Sequence, residues 1–383
     1  MTEWFMARVR PLDHPDAQGV ARREVQSELA GLVDWLERVP PEDIPKLVGS
    51  AMHYAAVHGP FHAWARFCER GLAAATDPAA RSNLLWVLGH CSRRSGDLDR
   101  ALAVAREMAI VDQRRGAERE VAVSRGLEAD ILEVRGEFDE ALRIRREEQL
   151  PVYKRLGDVD LKAITHGKIA DILKARSEFD EALRIYREEV LPVFERPGGV
   201  REKAIAHGKI ADLLQARGEL DEALRVRRDE QLPVYERLGD VHAKAITHGK
   251  IADILQARGE FDEALRIYRE EVLPVFERLG DVHAKAITHG KIADILQARG
   301  ELDEALRIRR DEELPVYERL GDARSRLVCQ AQIALTLLAR GQPGDREEAG
   351  RLLAEARAAA ERLRIPEAEQ IRAIQGRFGL EDA

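Results

Sequence analysis

The chain has 383 residues, 45% apolar and 34% charged with only 5% aromatic, a composition that fits amphipathic helices packed through small aliphatic side chains and gives no expectation of strands. Its 61 basic and 69 acidic side chains leave a net charge of -8, which offers no field able to hold a polyanion and argues against nucleic acid as a partner. Three scattered cysteines, the lack of any apolar run near the roughly 20 residues needed to cross a bilayer, and a start without the apolar core of a secretion signal together lead to the expectation of a cytoplasmic protein with no membrane segment.

In chain order, residues 1–43 are expected to form an N-terminal helical cap, with a leading helix over 17–38. Residues 44–118 read as two degenerate helix pairs, the clearer one marked by Leu88, Gly89 and the stretch SGDLDRALAVA at 95–105, the fainter one by Gly59 and Phe61. Five regular units fill 119–320, where Gly157, Gly198, Gly239, Gly280 and Gly321 stand 41 residues apart and GDVHAKAITHGKIADILQARGE occurs at both 239 and 280. A fixed period of this length means that each unit is a supersecondary element burying its apolar face against its neighbours, so the whole is expected to be one elongated body.

Within the unit 239–279, Asp240 is placed to cap a first helix, helix A, whose apolar stripe is Ile246, Ile251, Ala252, Ile254 and Leu255. After the Gly259 turn, Phe261, Ala264, Leu265, Tyr268, Val272, Phe276 and Leu279 mark a second, antiparallel helix B. Helix B carries Pro151, Pro192, Pro233, Pro274 or Pro315, where a kink freeing the carbonyl four residues back is expected. Residues 321–364 form a modified last unit, in which the insertion QPGDRE moves the matching alanine to Ala349, and 365–383 hold a C-terminal capping helix over 366–378.

The spacing of Ala252, Leu255, Gly259, Phe261, Ala264 and Tyr268 resembles the tetratricopeptide repeat, and the 41-residue period is similar to the extended repeats of kinesin light chains and many bacterial regulators. The resemblance implies an all-α solenoid, a right-handed superhelix of antiparallel helix pairs. It also implies that the second, fifth, ninth and twelfth places of helix A line a concave peptide-binding wall.

Carried over residue by residue, those places hold Ile164, Gly167, Asp171 and Lys174; Ile205, Gly208, Asp212 and Gln215; Ile246, Gly249, Asp253 and Gln256; Ile287, Gly290, Asp294 and Gln297. Gly126 and Asp130 continue the column upstream, and Leu335 interrupts it. A mid-helix glycine costs about 0.5 to 1 kcal/mol relative to alanine, so its repetition signals either close packing between successive A helices or close approach of a ligand. The aspartates form an acidic column suited to a basic ligand segment, unless Lys168, Lys209, Lys250 and Lys291 neutralise it by pairing three residues along the same helix.

Units also alternate. Arg145, Arg227 and Arg309 occupy in the first, third and fifth the place of Tyr186 and Tyr268 in the second and fourth, either as a trace of duplicated 82-residue pairs or as a ladder used for contact. His166, His207, His248 and His289 fall on the buried stripe. His53, His58, His62, Cys68, His90 and Cys91 have metal-compatible side chains without metal-site spacing, so neither metal nor cofactor is expected. A repeated residue does not make a catalytic centre, since catalysis needs different groups at one point, and an enzyme would have to reside in residues 1–118. The expected function is a non-enzymatic scaffold or regulatory adaptor for a protein or peptide. The alternatives are a peptide-sensing regulator whose superhelix compacts on binding, and a self-associating array.

Overall fold

A computed structural model describes residues 29–380, apart from 50, 51, 53, 54, 57–59, 197 and 364. The described secondary structure is entirely helical. The chain divides into two compact units, Met1–Val193 and Phe194–Ala383, in the middle of what the period alone reads as one continuous array.

In the first unit, helices Leu29–Arg38, Ile44–Val48, Phe61–Ala74, Pro78–Arg94 and Leu98–Arg114 precede the regular A helices Glu118–Val134 and Val159–Ala175. Residues 17–28 of the expected leading helix lie outside the described residues. Trp64 and Phe67 meet edge to face at 5.3 Å in the core of this early part, where Cys68 and Cys91 are also buried. In the second unit, A helices Val200–Ala216, Val241–Ala257, Val282–Ala298 and Ala323–Arg340 alternate with B helices, and Asp345–Leu363 and Glu367–Phe378 follow. Its last apolar cluster joins Leu327, Ile333, Leu337, Leu353 and Ile371, with Phe378 packed against it.

The start of a regular A helix is built as the sequence dictates. Asp158, Asp240, Asp281 and Asp322 each accept the backbone N–H three residues on, at 2.9 to 3.0 Å. The preceding glycine, as at Gly239 with φ +64°, takes the left-handed conformation that ends helix B. Gly199 replaces the capping aspartate in the third regular unit, and a Cβ there would stand 2.8 Å from the Phe194 carbonyl oxygen.

Helix B continues through its proline by a device that the sequence pattern does not display. The chain widens into a π-helical turn just before each proline, over Ile144–Gln149, Tyr186–Val190, Val226–Gln231, Tyr268–Val272 and Arg309–Glu313. The leucine preceding each proline donates its N–H five residues back, from Leu150 to Arg145, Leu191 to Tyr186, Leu232 to Arg227, Leu273 to Tyr268 and Leu314 to Arg309. A proline ring in a regular α-helix would clash with the carbonyl four residues back, and the extra residue in the turn relieves that conflict.

Candidate functional site

The residues on either side of each π turn determine the surroundings of the helix-A face. Arg145, Arg227 and Arg309 are only 2 to 3% exposed, and each directs a guanidinium nitrogen onto the aspartate of its own repeat: Asp130 at 2.5 Å, Asp212 and Asp294. The other terminal nitrogen donates to Gln149 (3.3 Å), Gln231 (2.6 Å) or Glu313 (3.1 Å), four residues along the same helix. In the intervening repeats the hydroxyl of Tyr186 reaches Asp171 at 2.9 Å and that of Tyr268 reaches Asp253 at 2.7 Å, with the carbonyl oxygens of Gly167 and Gly249 close by at 3.2 and 3.1 Å. The alternation therefore resides in a buried polar layer beneath helix A.

That layer also accounts for the helix-A glycines. A Cβ at Gly126 or Gly208 would stand 2.4 Å from the amide nitrogen of Gln149 or Gln231, and one at Gly290 would stand 2.7 Å from Glu313. At Gly167 and Gly249 it would meet only the tyrosine ring or hydroxyl, at 3.7 Å. The close packing is against helix B of the same repeat, where the sequence reading had considered a neighbouring A helix.

The lysines differ from expectation as well. Lys168 pairs with Asp130 at 3.2 Å and Lys291 with Asp253 at 2.9 Å, each bridging to the aspartate of the preceding repeat and not to the one three residues along its own helix. Each aspartate accepts from the arginine or tyrosine below it. Burial alone would raise the Asp130 pKa, but the charges of Arg145 and Lys168 beside it hold it below the usual carboxylate range. Burial lowers the pKa of Arg227 and raises that of Glu313. Tyr268 is pushed up by burial and by the Asp253 charge.

Of the remaining positions expected to line a wall, Lys174, Gln215, Gln256 and Gln297 are half-buried, and Gln297 accepts from the Thr336 hydroxyl at 2.7 Å. Ile164, Ile205, Ile246 and Ile287 are 44 to 49% exposed, as is Val328 at 41%, the residue one period further on. His207 is buried, while His166, His248 and His289 are half-buried. Burial lowers the pKa of all four. Of the metal-compatible residues, His53 and His58 lie outside the described residues. Among the described residues no group of three His, Cys, Asp or Glu side chains could hold a metal ion, and no helix is long and apolar enough to cross a membrane.

Sequence reasoning missed Gln149, Gln231 and Glu313. Their recurrence at every second repeat, opposite Val190 and Val272, was the available signal.

The tetratricopeptide repeat family model matches residues 243–311, which span one A–B pair and most of the next. Over that stretch the chain is similar to tetratricopeptide repeats. No curated relative matches the sequence. Among solved structures, a signal-transduction ATPase with a tetratricopeptide repeat sensor, from Pyrococcus horikoshii, superposes with a TM-score of 0.57 at 13% identity. The alignment covers 88% of this chain but only 50% of the ATPase, so this chain spans half the length of that protein. The apo quorum sensor NprR from B. thuringiensis gives a TM-score of 0.55 at 13% identity, over 93% of this chain and 96% of NprR. A Rap protein complexed with competence and sporulation factor gives 0.53 at 12% identity, over 87% and 95%. At these identities the likeness is one of fold: all-α and tetratricopeptide-like.

Proposed function

We propose that this protein is a non-enzymatic regulatory adaptor or scaffold of the cytoplasm that binds a protein or peptide segment along the helix-A faces of its tetratricopeptide repeats. One observation carries the reading. Ile205, Ile246 and Ile287 stand exposed at the same place of successive A helices, an arrangement that leaves apolar side chains in water unless something covers them. In the second unit the wall comprises these isoleucines with Gly208, Asp212, Gln215, Gly249, Asp253, Gln256, Gly290, Asp294 and Gln297, and the same places in the first unit hold Asp130, Gly167, Asp171 and Lys174. The basic ligand suggested by the aspartate column has less support, because the carboxylates already accept from arginine or tyrosine.

A second reading, a peptide-sensing regulator that compacts on ligand binding, is favoured by the similarity to NprR, a quorum sensor, and to a Rap protein held with competence and sporulation factor. Self-association would need a further uncovered surface and is the weakest of the three.

The test is affinity capture from the native host, read by mass spectrometry, with the wild-type chain and with an Ile205→Asp, Ile246→Asp, Ile287→Asp triple variant. Unchanged helicity by circular dichroism with loss of partners is the expected result. Capture of the same partners by both chains would remove the reading. A drop in radius of gyration by small-angle scattering when the captured partner is added would favour the sensor over the scaffold. Truncating Asp212 is a poor probe, since stranding the buried Arg227 charge costs about 3 to 5 kcal/mol and unfolding would mimic lost binding.

A further inference from the structure

Away from the helix-A faces, a second apolar row is exposed in the second unit, at the turns that lead from each helix B into the next helix A. Leu238 and Val241 flank Gly239, Leu279 and Val282 flank Gly280, and Leu320 precedes Gly321. Leu279 is half-buried, while Leu238, Val241, Val282 and Leu320 are 43 to 46% exposed. The turns project, since a Cβ built at Gly239, Gly280 or Gly321 would meet nothing within 4 Å. Singly exposed aliphatics are ordinary, but a row along one edge is a patch.

Charge along this edge is nearly balanced. Residues 236–244, 277–285 and 318–326 hold seven Lys or Arg against six Asp or Glu, in a chain whose net charge is -8. Most of these carboxylates are engaged within the fold: Glu236 by Lys244 at 2.8 Å, Glu277 by Lys285 at 2.7 Å and Asp240 by Arg201 at 2.6 Å. His242 and His283 stand 3.7 and 3.3 Å from Asp281 and Asp322. Arg237, Arg278, Glu318 and Arg319 are exposed and have no ion-pair partner among the described residues.

We infer that this edge packs against the same edge of a second copy, antiparallel across a two-fold axis at the Gly280 turn. Every turn carries the order Glu-Arg-Leu-Gly, at 236–239, 277–280 and 318–321. The axis sets the Gly239 turn of one copy against the Gly321 turn of the other, so the unpaired Arg237 faces the unpaired Glu318, twice by symmetry, and the aliphatic side chains cover one another. A parallel copy would oppose each turn to itself and bring no Glu318 to Arg237. The period supplies the register, because two edges of one spacing meet at all three turns together. Three turns fall short of the roughly 20 to 30 residues a side of a standard interface, which makes the dimer weak and reversible. The inference is independent of the helix-A reading and names the uncovered surface that self-association needs.

The experiment is sedimentation velocity of the full chain over a wide range of concentration. The mass should rise from monomer to dimer and no further, because a two-fold contact closes on itself. Arg237→Glu alone and Glu318→Arg alone should each weaken the dimer about tenfold or more, since each sets two like-charge contacts across the axis. Mixed in equal amounts, the two variant chains should dimerise with each other, because both contacts are then opposite in charge. Their melting temperatures should match the wild-type value, as both residues are exposed. A chain that stays monomeric throughout, one that grows past the dimer, or variants that do not recover on mixing would overturn the inference and leave the helix-A reading standing. The Ile205→Asp, Ile246→Asp, Ile287→Asp variant should dimerise as the wild type does, and loss of its dimer would move the contact to the helix-A faces and overturn the edge.

Discussion

Five glycines at one place of helix A look interchangeable, yet the side chains they face divide them into two sets. Over Gln149 and Gln231, an added methyl group would be forced to 2.4 Å from an amide nitrogen bonded deep in the repeat; Gln149, for example, donates to the Ala122 carbonyl at 2.9 Å. Over Tyr186 and Tyr268 the same methyl group finds ordinary van der Waals contact. Gly167→Ala and Gly249→Ala should therefore gain up to about 1 kcal/mol from helix propensity. Gly126→Ala and Gly208→Ala should lose roughly 1 to 3 kcal/mol from overpacking. Chemical denaturation of the four single variants checks this, and effects of one sign across all four would show that the two sets do not differ.

Helix A and its cap were legible in the sequence because they rest on local rules: a capping aspartate, a left-handed glycine, and an apolar stripe at helical spacing. Helix B was legible as a helix but not in its middle. Arg145 sits in a run of charged and polar residues that reads as solvated surface, yet it is buried at the place that Tyr186 and Tyr268 fill in the neighbouring repeats. The Lys168 pairing was misjudged for a similar reason. Its partner, Asp130, is 38 residues away and becomes available only once helices stack, whereas Asp171, three residues along, is turned toward Tyr186.

The histidines belong to this scale too, since each lies between helix A and the π turn of its repeat. His166 stands 3.3 Å from a Glu189 carboxylate oxygen, while for His248 the neighbouring charges are Glu271, Lys244, Glu236 and Arg266. Desolvation dominates, so the folded pKa values lie below the unfolded value of about 6.5. The unfolded chain then binds more protons, and stability, full above that value, falls as pH drops through it toward the folded pKa. The melting temperature should decline between pH 7.5 and 5.5, and His207→Gln with His248→Gln should flatten the slope. An unchanged slope in that double variant would assign the pH dependence elsewhere.

For the whole molecule, what matters is how repeats are coupled along the chain. On the cap side, Arg119 pairs with Asp158 at 3.1 Å in the first unit, while Arg201 pairs with Asp240 at 2.6 Å and His283 reaches Asp322 at 3.3 Å in the second. Stability in a repeat array is a sum of unit terms and neighbour terms, and the division into two compact units marks a boundary for cooperativity. Native-state hydrogen exchange should show two blocks of protection that change near Val193, and denaturant unfolding should depart from a single transition. A single cooperative transition by every probe would contradict the boundary.

Val241–Ala257 and Val282–Ala298 are the same seventeen residues, and an observer of their outer surface would count them as copies. One rests on a tyrosine and a valine, the other on an arginine and a glutamate. Two surfaces identical in sequence therefore lie over different electrostatics, and a shift by one repeat changes what lies beneath without changing what faces outward.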